Sequence, residues 1–448
     1  MIAYLISLLI LGIPICWLEW TLGRRGGQLG FHSSPGIFYA ILKHPMAKYL
    51  GALGVLIPVG VYTYYVYIES WCAGYFVYFL TGKLSLGTEV APYREFWQQF
   101  VGADHNGLGF GDGRSHVLLF LLAVGILNFA IIYRGIAKGI ESFCKWAMPA
   151  LIVMALIIVV RVLTLGAPNA ALPEQSAWNG LKYMWAPGNV TSQLANPELW
   201  LAAAGQILFS LSVGFGVIIT YASYLRKDDD VVKSGLTAAG VNEFCELGLG
   251  GMITVPAAFV FLGASGIAGQ ATFQLGFNVL PLVFSQMPFP WLFGAVFFLL
   301  LFFAAITSSI SMLQPGIAYL EEGFGLRRGP AVAIMAMITS LGTLLVVYFS
   351  QDLKAQETID FWVGTFGVFV MATILVIVFA WVLDFGEGWE DMHRGAAFRV
   401  PAIFKVIIRW IAPLYLFVIF VLWILFAAIV LSVRYAAKRW DNRQASTI

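Results

Sequence analysis

Runs of about 20 mostly apolar residues recur along the chain, separated by loops that hold most of its charge, and that is the length a helix needs to cross a bilayer. Ten runs are predicted to span: Met1 to Leu22, Ala47 to Leu80, Val117 to Tyr133, Trp146 to Leu165, Leu199 to Leu225, Gly235 to Ala264, Trp291 to Leu320, Val332 to Tyr348, Phe361 to Leu383 and Ile403 to Val433. Backbone inside lipid must satisfy its own hydrogen bonds, and a barrel would alternate polar with apolar positions, which these runs do not. The predicted class is an all-α, multi-pass integral membrane protein.

Composition agrees. Of 448 residues, 60% are apolar and 11% charged, whereas a soluble domain carries about a quarter charged, so the apolar surplus needs a bilayer as its partner. A net charge of +2 supplies no basic face for nucleic acid. Cys16, Cys72, Cys144 and Cys245 lie far apart in apolar runs; without a C-x-x-C they support neither a disulfide framework nor a zinc site.

Lys and Arg set the orientation, because cytoplasmic loops retain them. If the first helix runs inward, sixteen basic residues face the inside, including Arg24, Arg25, Arg134, Arg328, Lys405 and Arg409, against five outside (Lys83, Arg94, Arg114, Lys182, Lys354). The basic tail, Arg434 to Arg443, falls outside in this frame and breaks the rule. The first run lacks a basic leader and a small-residue cleavage site, so it is read as a spanning helix and not a signal peptide. The expected location is the cytoplasmic membrane of the cell.

Ionisable groups within a span cost several kcal/mol and mark function by default. Here they are Glu19, Glu69, Glu243 and Glu246. For Glu19 and Glu69, tying helices together or capping a broken one is an equal alternative. Asn242 precedes Glu246 by four residues, so its amide and the carboxyl share a helical face. In the fifth run Gln206 and Ser210 are four apart, and Ser212, Gly214, Phe215 and Gly216 follow, where a helix can break; such Gly-interrupted helices point to a transporter site. Ala304, Thr307, Ser308, Ser311 and Met312 share one face of the seventh, and Val61, Tyr65 and Glu69 one face of the second. Hydroxyl, amide and carbonyl oxygens in this pattern suit a hard monovalent cation such as Na+, which wants about five or six oxygens. A lone Ser in a span usually bonds its own backbone, but Thr307, Ser308 and Ser309 opposite a broken helix are read as ion ligands.

Five stretches then carry a resemblance: G-I-P-I-C-W-L-E-W-T-L-G-R-R-G-G from Gly12, Y-Y-V-Y-I-E-S-W from Tyr64, Q-I-L-F-S-L-S-V-G-F-G from Gln206, I-T-Y-A-S-Y from Ile219 and F-A-A-I-T-S-S-I-S-M-L-Q-P from Phe303. In this order they resemble the neurotransmitter:sodium symporter family, above all its bacterial LeuT-type amino-acid transporters. The resemblance implies an inverted-repeat helical bundle that works by alternating access. Residues 1–165 would be the remainder of the first repeat, 199–383 the second, and 403–433 an extra C-terminal helix. It implies that Tyr65 donates to a substrate carboxylate while Val61, Phe209, Ser212, Phe215, Ser308 and Met312 line the side-chain pocket. One sodium site would use Ser210 and Asn242 with that carboxylate, and a second the Ala304 carbonyl with Thr307 and Ser308. Asp360 resembles half of an outer gate lidded by Phe215, Glu322 with Tyr224 part of an inner gate, and 268–287 an outer lid.

Chloride-dependent members hold the anion among groups corresponding to Tyr4, Gln206, Ser210 and Asn242. Glu246 beside them implies chloride-independent transport, with its carboxyl free to take a proton on the return. The substrate implied is a small to medium neutral amino acid, with sodium ions and the bilayer as the other partners and a homodimer left open. No Ser-His-acid or metal-ligand set points to an enzyme. The family's first helix, with its Gly and Asn break, has no counterpart here, since Met1 aligns with the following helix. The expectation is a start codon placed too late; the alternative is a truncated, non-transporting binding or scaffold remnant.

Overall fold

The computed structural model of the chain describes residues 1–108, 114–167, 172–185, 190–268 and 272–424. Among these, nine helices are long and apolar enough to span: Ile2–Gln28, Ala47–Leu80, His116–Tyr133, Ile136–Leu163, Val231–Ile267, Pro290–Phe324, Arg328–Tyr348, Gln351–Val382 and Ile403–Ile424. No strand occurs among the described residues. The end of the tenth predicted run and the basic tail from Arg434 lie outside them.

The fifth predicted run is broken at the stretch whose glycines were expected to allow it. Leu199 to Leu225 is not one helix but two short ones, Pro197–Ser210 and Val217–Ala222, joined by non-helical backbone at 211–216. The cause is local. Ser212, Gly214 and Gly216 have φ of 54°, 79° and 83°, a region that costs any residue with a Cβ. Glycine is also required by space, since a Cβ on Gly216 would sit 2.3 Å from the Gly54 backbone and one on Gly214 2.7 Å from the Val368 carbonyl oxygen. The break is therefore held by direct contact with the Ala47–Leu80 and Gln351–Val382 helices.

Four neighbours frame this break. Pro290–Phe324 and Ala47–Leu80 pack along each other, Val217–Ala222 lies on Ile2–Gln28, and Gln351–Val382 closes against Ala47–Leu80. On the outer side the segment Thr272–Ser285 caps the bundle: Phe277 meets Trp71 at 5.6 Å, Tyr75 at 5.2 Å and Phe298 at 5.8 Å between ring centroids. The segment 268–287, expected as an outer lid, is helical over Thr272–Ser285, with residues 269–271 outside the described range.

On the inner side, Arg24 differs from its reading as a loop cation. It is 1% exposed, donates to the carbonyls of Asp229 (2.5 Å), Arg394 (3.0 Å) and Asp391, and lies 3.7 Å from the Asp391 carboxylate. A guanidinium's five donors let one side chain satisfy three loop carbonyls, so Arg24 ties the inner ends of three segments together.

Candidate functional site

At the break, the Gly214 N–H has no helical acceptor, and Glu19 supplies one at 2.6 Å. Glu19 is fully buried. Its role is structural in this arrangement: it caps backbone that lipid could not solvate.

The broken segment then carries Ser210 into a polar cluster. Asn242 Nδ2 donates to Ser210 Oγ at 2.6 Å, Ser210 Oγ donates to Glu246 Oε2, and Gln206 Nε2 donates to Glu246 Oε1 at 2.7 Å. The Tyr4 hydroxyl sits in the field of Glu246 and Glu243. A single carboxylate thus meets Gln206 and Ser210 directly and Asn242 through Ser210. The helix carrying Asn242 and Glu246 has a π-helical stretch, Phe244–Gly250, yet both side chains still reach Ser210.

Across the bundle, the Ala304 carbonyl accepts from Thr307 Oγ1 at 3.0 Å and from Ser308 Oγ at 3.2 Å. Both hydroxyls bond back to their own helix, Thr307 also to the Phe303 carbonyl at 3.0 Å, and three neutral oxygens of the kind that can replace a hard cation's water lie within about one turn. Ser308 also interacts with the Tyr65 hydroxyl. Val61, Phe215 and Met312 belong to the same buried core, and the Phe209 and Phe215 rings meet edge-on at 5.5 Å. Ser212 stands on the strained backbone of the break.

Ser309 departs from its reading as an ion ligand. One residue on from Ser308 it is turned about 100° around the helix, away from Thr307. It donates to Asn128 Oδ1 at 2.7 Å, and Asn128 Nδ2 donates to both Glu69 oxygens at 3.1 Å. Glu69, Asn128 and Ser309 form a wholly buried polar tie between three helices. Asn128 was missed in the sequence, although a lone amide in an apolar run is itself a signal.

Both gate candidates have partners the sequence did not reveal. Tyr64, beside Tyr65 in the chain, donates to Asp360 Oδ1 at 2.5 Å. Glu322 accepts from the His32 and Ser33 amides at 2.6 and 3.0 Å and from Ser33 Oγ at 2.7 Å. The His32 ring stacks on Tyr224 at 4.5 Å and bonds Ser223 Oγ at 3.0 Å, linking Glu322 to Tyr224.

The model of the Sodium:neurotransmitter symporter family matches residues 83–443. The chain belongs to that family. It is 26% identical over 431 residues to an uncharacterised sodium-dependent transporter of Haemophilus influenzae, covering 93% of this chain and 88% of that one. A second such transporter, of Methanocaldococcus jannaschii, is 27% identical over 424 residues, covering 93% and 81%. The solved structure of MhsT in complex with L-phenylalanine superposes with a TM-score of 0.78 at 24% identity over 94% of this chain and 90% of that one, so the LeuT-type fold is shared. As a member of the symporter family the chain is a multi-pass, sodium-coupled membrane transporter and not an enzyme.

Proposed function

We propose that the chain carries a neutral, apolar amino acid together with sodium by alternating access, and does so without chloride. In this reading Tyr65 binds the substrate carboxylate and Val61, Phe209, Ser212, Phe215, Ser308 and Met312 surround its side chain. Ser210 and Asn242 serve one sodium ion, and the Ala304 carbonyl, Thr307 and Ser308 the other. Asp360 with Phe215 closes the outer side, Glu322 with Tyr224 the inner, and the helices of 1–165 move against those of 199–383.

The observation that carries the reading is the position of Ser308, whose hydroxyl donates to the Ala304 carbonyl at 3.2 Å and lies beside the Tyr65 phenol. An ion and a substrate that meet at one side chain change each other's affinity, and that reciprocity is what couples their transport. Support for an amino acid comes from two relatives. One is named a sodium-dependent nutrient amino acid transporter of Drosophila erecta, 27% identical over 329 residues covering 70% of this chain and 48% of that one; the other is MhsT, solved with L-phenylalanine. Support for chloride independence is the Glu246 carboxylate, which already occupies Gln206 and Ser210; a fixed negative charge there does for sodium what an anion would.

The test is uptake of labelled neutral amino acids into proteoliposomes, by this chain and by the same chain preceded by the reading frame upstream of Met1. Uptake that needs an inward sodium gradient and ignores replacement of chloride by gluconate is expected. Absence of sodium-driven uptake in both overturns the reading in favour of a non-transporting family member.

A further inference from the structure

An apolar groove of about 1000 Å³ lies between His116–Tyr133 and Arg328–Tyr348, with Ala47–Leu80 as its floor, remote from the broken segment. Its walls include Leu118, Leu122 and Ile126 on one side and Ala336 on the other. From Leu118 to Arg134 it runs about 24 Å at 1.5 Å per residue, longer than the roughly 15 Å depth of one leaflet.

Besides the hydroxyls of Tyr133, Thr339, Ser340 and Thr343, two polar groups mark this apolar surface. The Tyr62 hydroxyl is buried at the floor with no hydrogen-bond partner among the described residues, and Tyr62 is 1% exposed. Arg134 stands exposed at the end bearing the basic loops, its guanidinium without a partner among the described residues. The Tyr62 ring packs edge-on against Phe129 at 6.2 Å, and Phe129 precedes Arg134 by five residues, about 7.5 Å of helix. A donor therefore lies about one and a half turns deeper in the membrane than a free cation.

We propose that this groove binds an anionic phospholipid of the inner leaflet. Arg134 pairs with the phosphate, the Tyr62 hydroxyl donates to an ester carbonyl of the glycerol, and one acyl chain lies along Leu122 and Ile126. A phospholipid has its phosphate, ester and chain in that order of depth, which matches the order of the cation, the buried phenol and the apolar walls along this groove. Gly125 has no neighbour within 4 Å on its open side, which leaves room for the chain.

The experiment is native mass spectrometry of the detergent-purified full chain with phosphatidylglycerol or phosphatidylcholine of equal chain length. Phosphatidylglycerol is expected to bind more tightly. Arg134→Gln should remove that preference with about a tenfold loss, as for a charge-assisted contact. Tyr62→Phe, which keeps the core volume, should weaken both lipids about fivefold. Gly125→Leu fills open space and should abolish the adduct while the melting temperature holds. Binding unchanged in all three variants, an equal loss in the control Arg409→Gln, or dimers cross-linked through Leu122→Cys would overturn the proposal.

Discussion

Glu19 and Gly214 are 195 residues apart in sequence, and the carboxylate of the first accepts the backbone N–H of the second at 2.6 Å. A helix can be broken inside a bilayer only if something replaces the hydrogen bonds it gives up. Here a fully buried acid does so. Glu19→Ala should leave the Gly214 N–H without an acceptor and cost about 1–3 kcal/mol. Glu19→Gln, which retains a carbonyl oxygen, should keep most of the stability. Thermal unfolding in detergent checks both, and equal losses for the two variants would contradict the capping role.

The Glu69–Asn128–Ser309 tie makes a graded prediction. Ser309→Ala removes one donor from Asn128 and should cost about 1 kcal/mol. Asn128→Leu strips Glu69 of its amide partner in a fully buried place and should cost about 3–5 kcal/mol. Paired with Glu69→Leu the losses should be far from additive, because the orphaned acid is gone. Additive losses would mean that the three residues do not act as one unit.

Replacing the carboxylate at 246 separates a structural acid from a substitute anion. In Glu246→Ser, Gln206 and Ser210 lose their negative partner, and sodium-driven uptake should become dependent on chloride. Uptake by that variant that is equally fast in gluconate would sink the chloride-substitution idea.

For the ion site on Pro290–Phe324, Thr307→Val keeps the shape and deletes one of three gathered oxygens. The sodium concentration for half-maximal uptake should rise about tenfold, the worth of one ligand at about 1.4 kcal/mol. The amino-acid KM at saturating sodium should stay near its original value. A sodium response identical to that of the unaltered chain would remove Thr307 from the ligand set.

At the inner side, the Glu322–His32–Tyr224 link should hold the cytoplasmic path shut. Glu322→Ala releases the His32 and Ser33 amides together with the Ser33 hydroxyl. A cysteine placed at Ser311 should then react several-fold faster with a reagent applied from inside. An unchanged rate would show that closure rests on other contacts.

The sequence by itself determined the membrane class, because an apolar run of about 20 residues has few alternatives to a spanning helix. Nine of the predicted runs fall on helices long and apolar enough to span, the sixth kinked at Gly263 and the tenth described to Ile424. Helical periodicity also placed Ala304, Thr307 and Ser308 on one face, since side chains within a turn keep fixed angular relations whatever the rest of the chain does. The glycines from Gly214 to Gly216 already marked where the fifth run breaks; tertiary structure decided what holds the break open, because the Gly54 and Val368 backbones that exclude a Cβ come from distant helices. It likewise decided that Ser309 serves Asn128 and not the ion site, that Tyr64 faces Asp360, and that Arg24 is a buried clamp. Hydrogen bonds and charge pairs act over about 3 Å, and sequence spacing cannot tell which of two side chains 100° apart will find a partner there until the neighbouring helix has been packed against it.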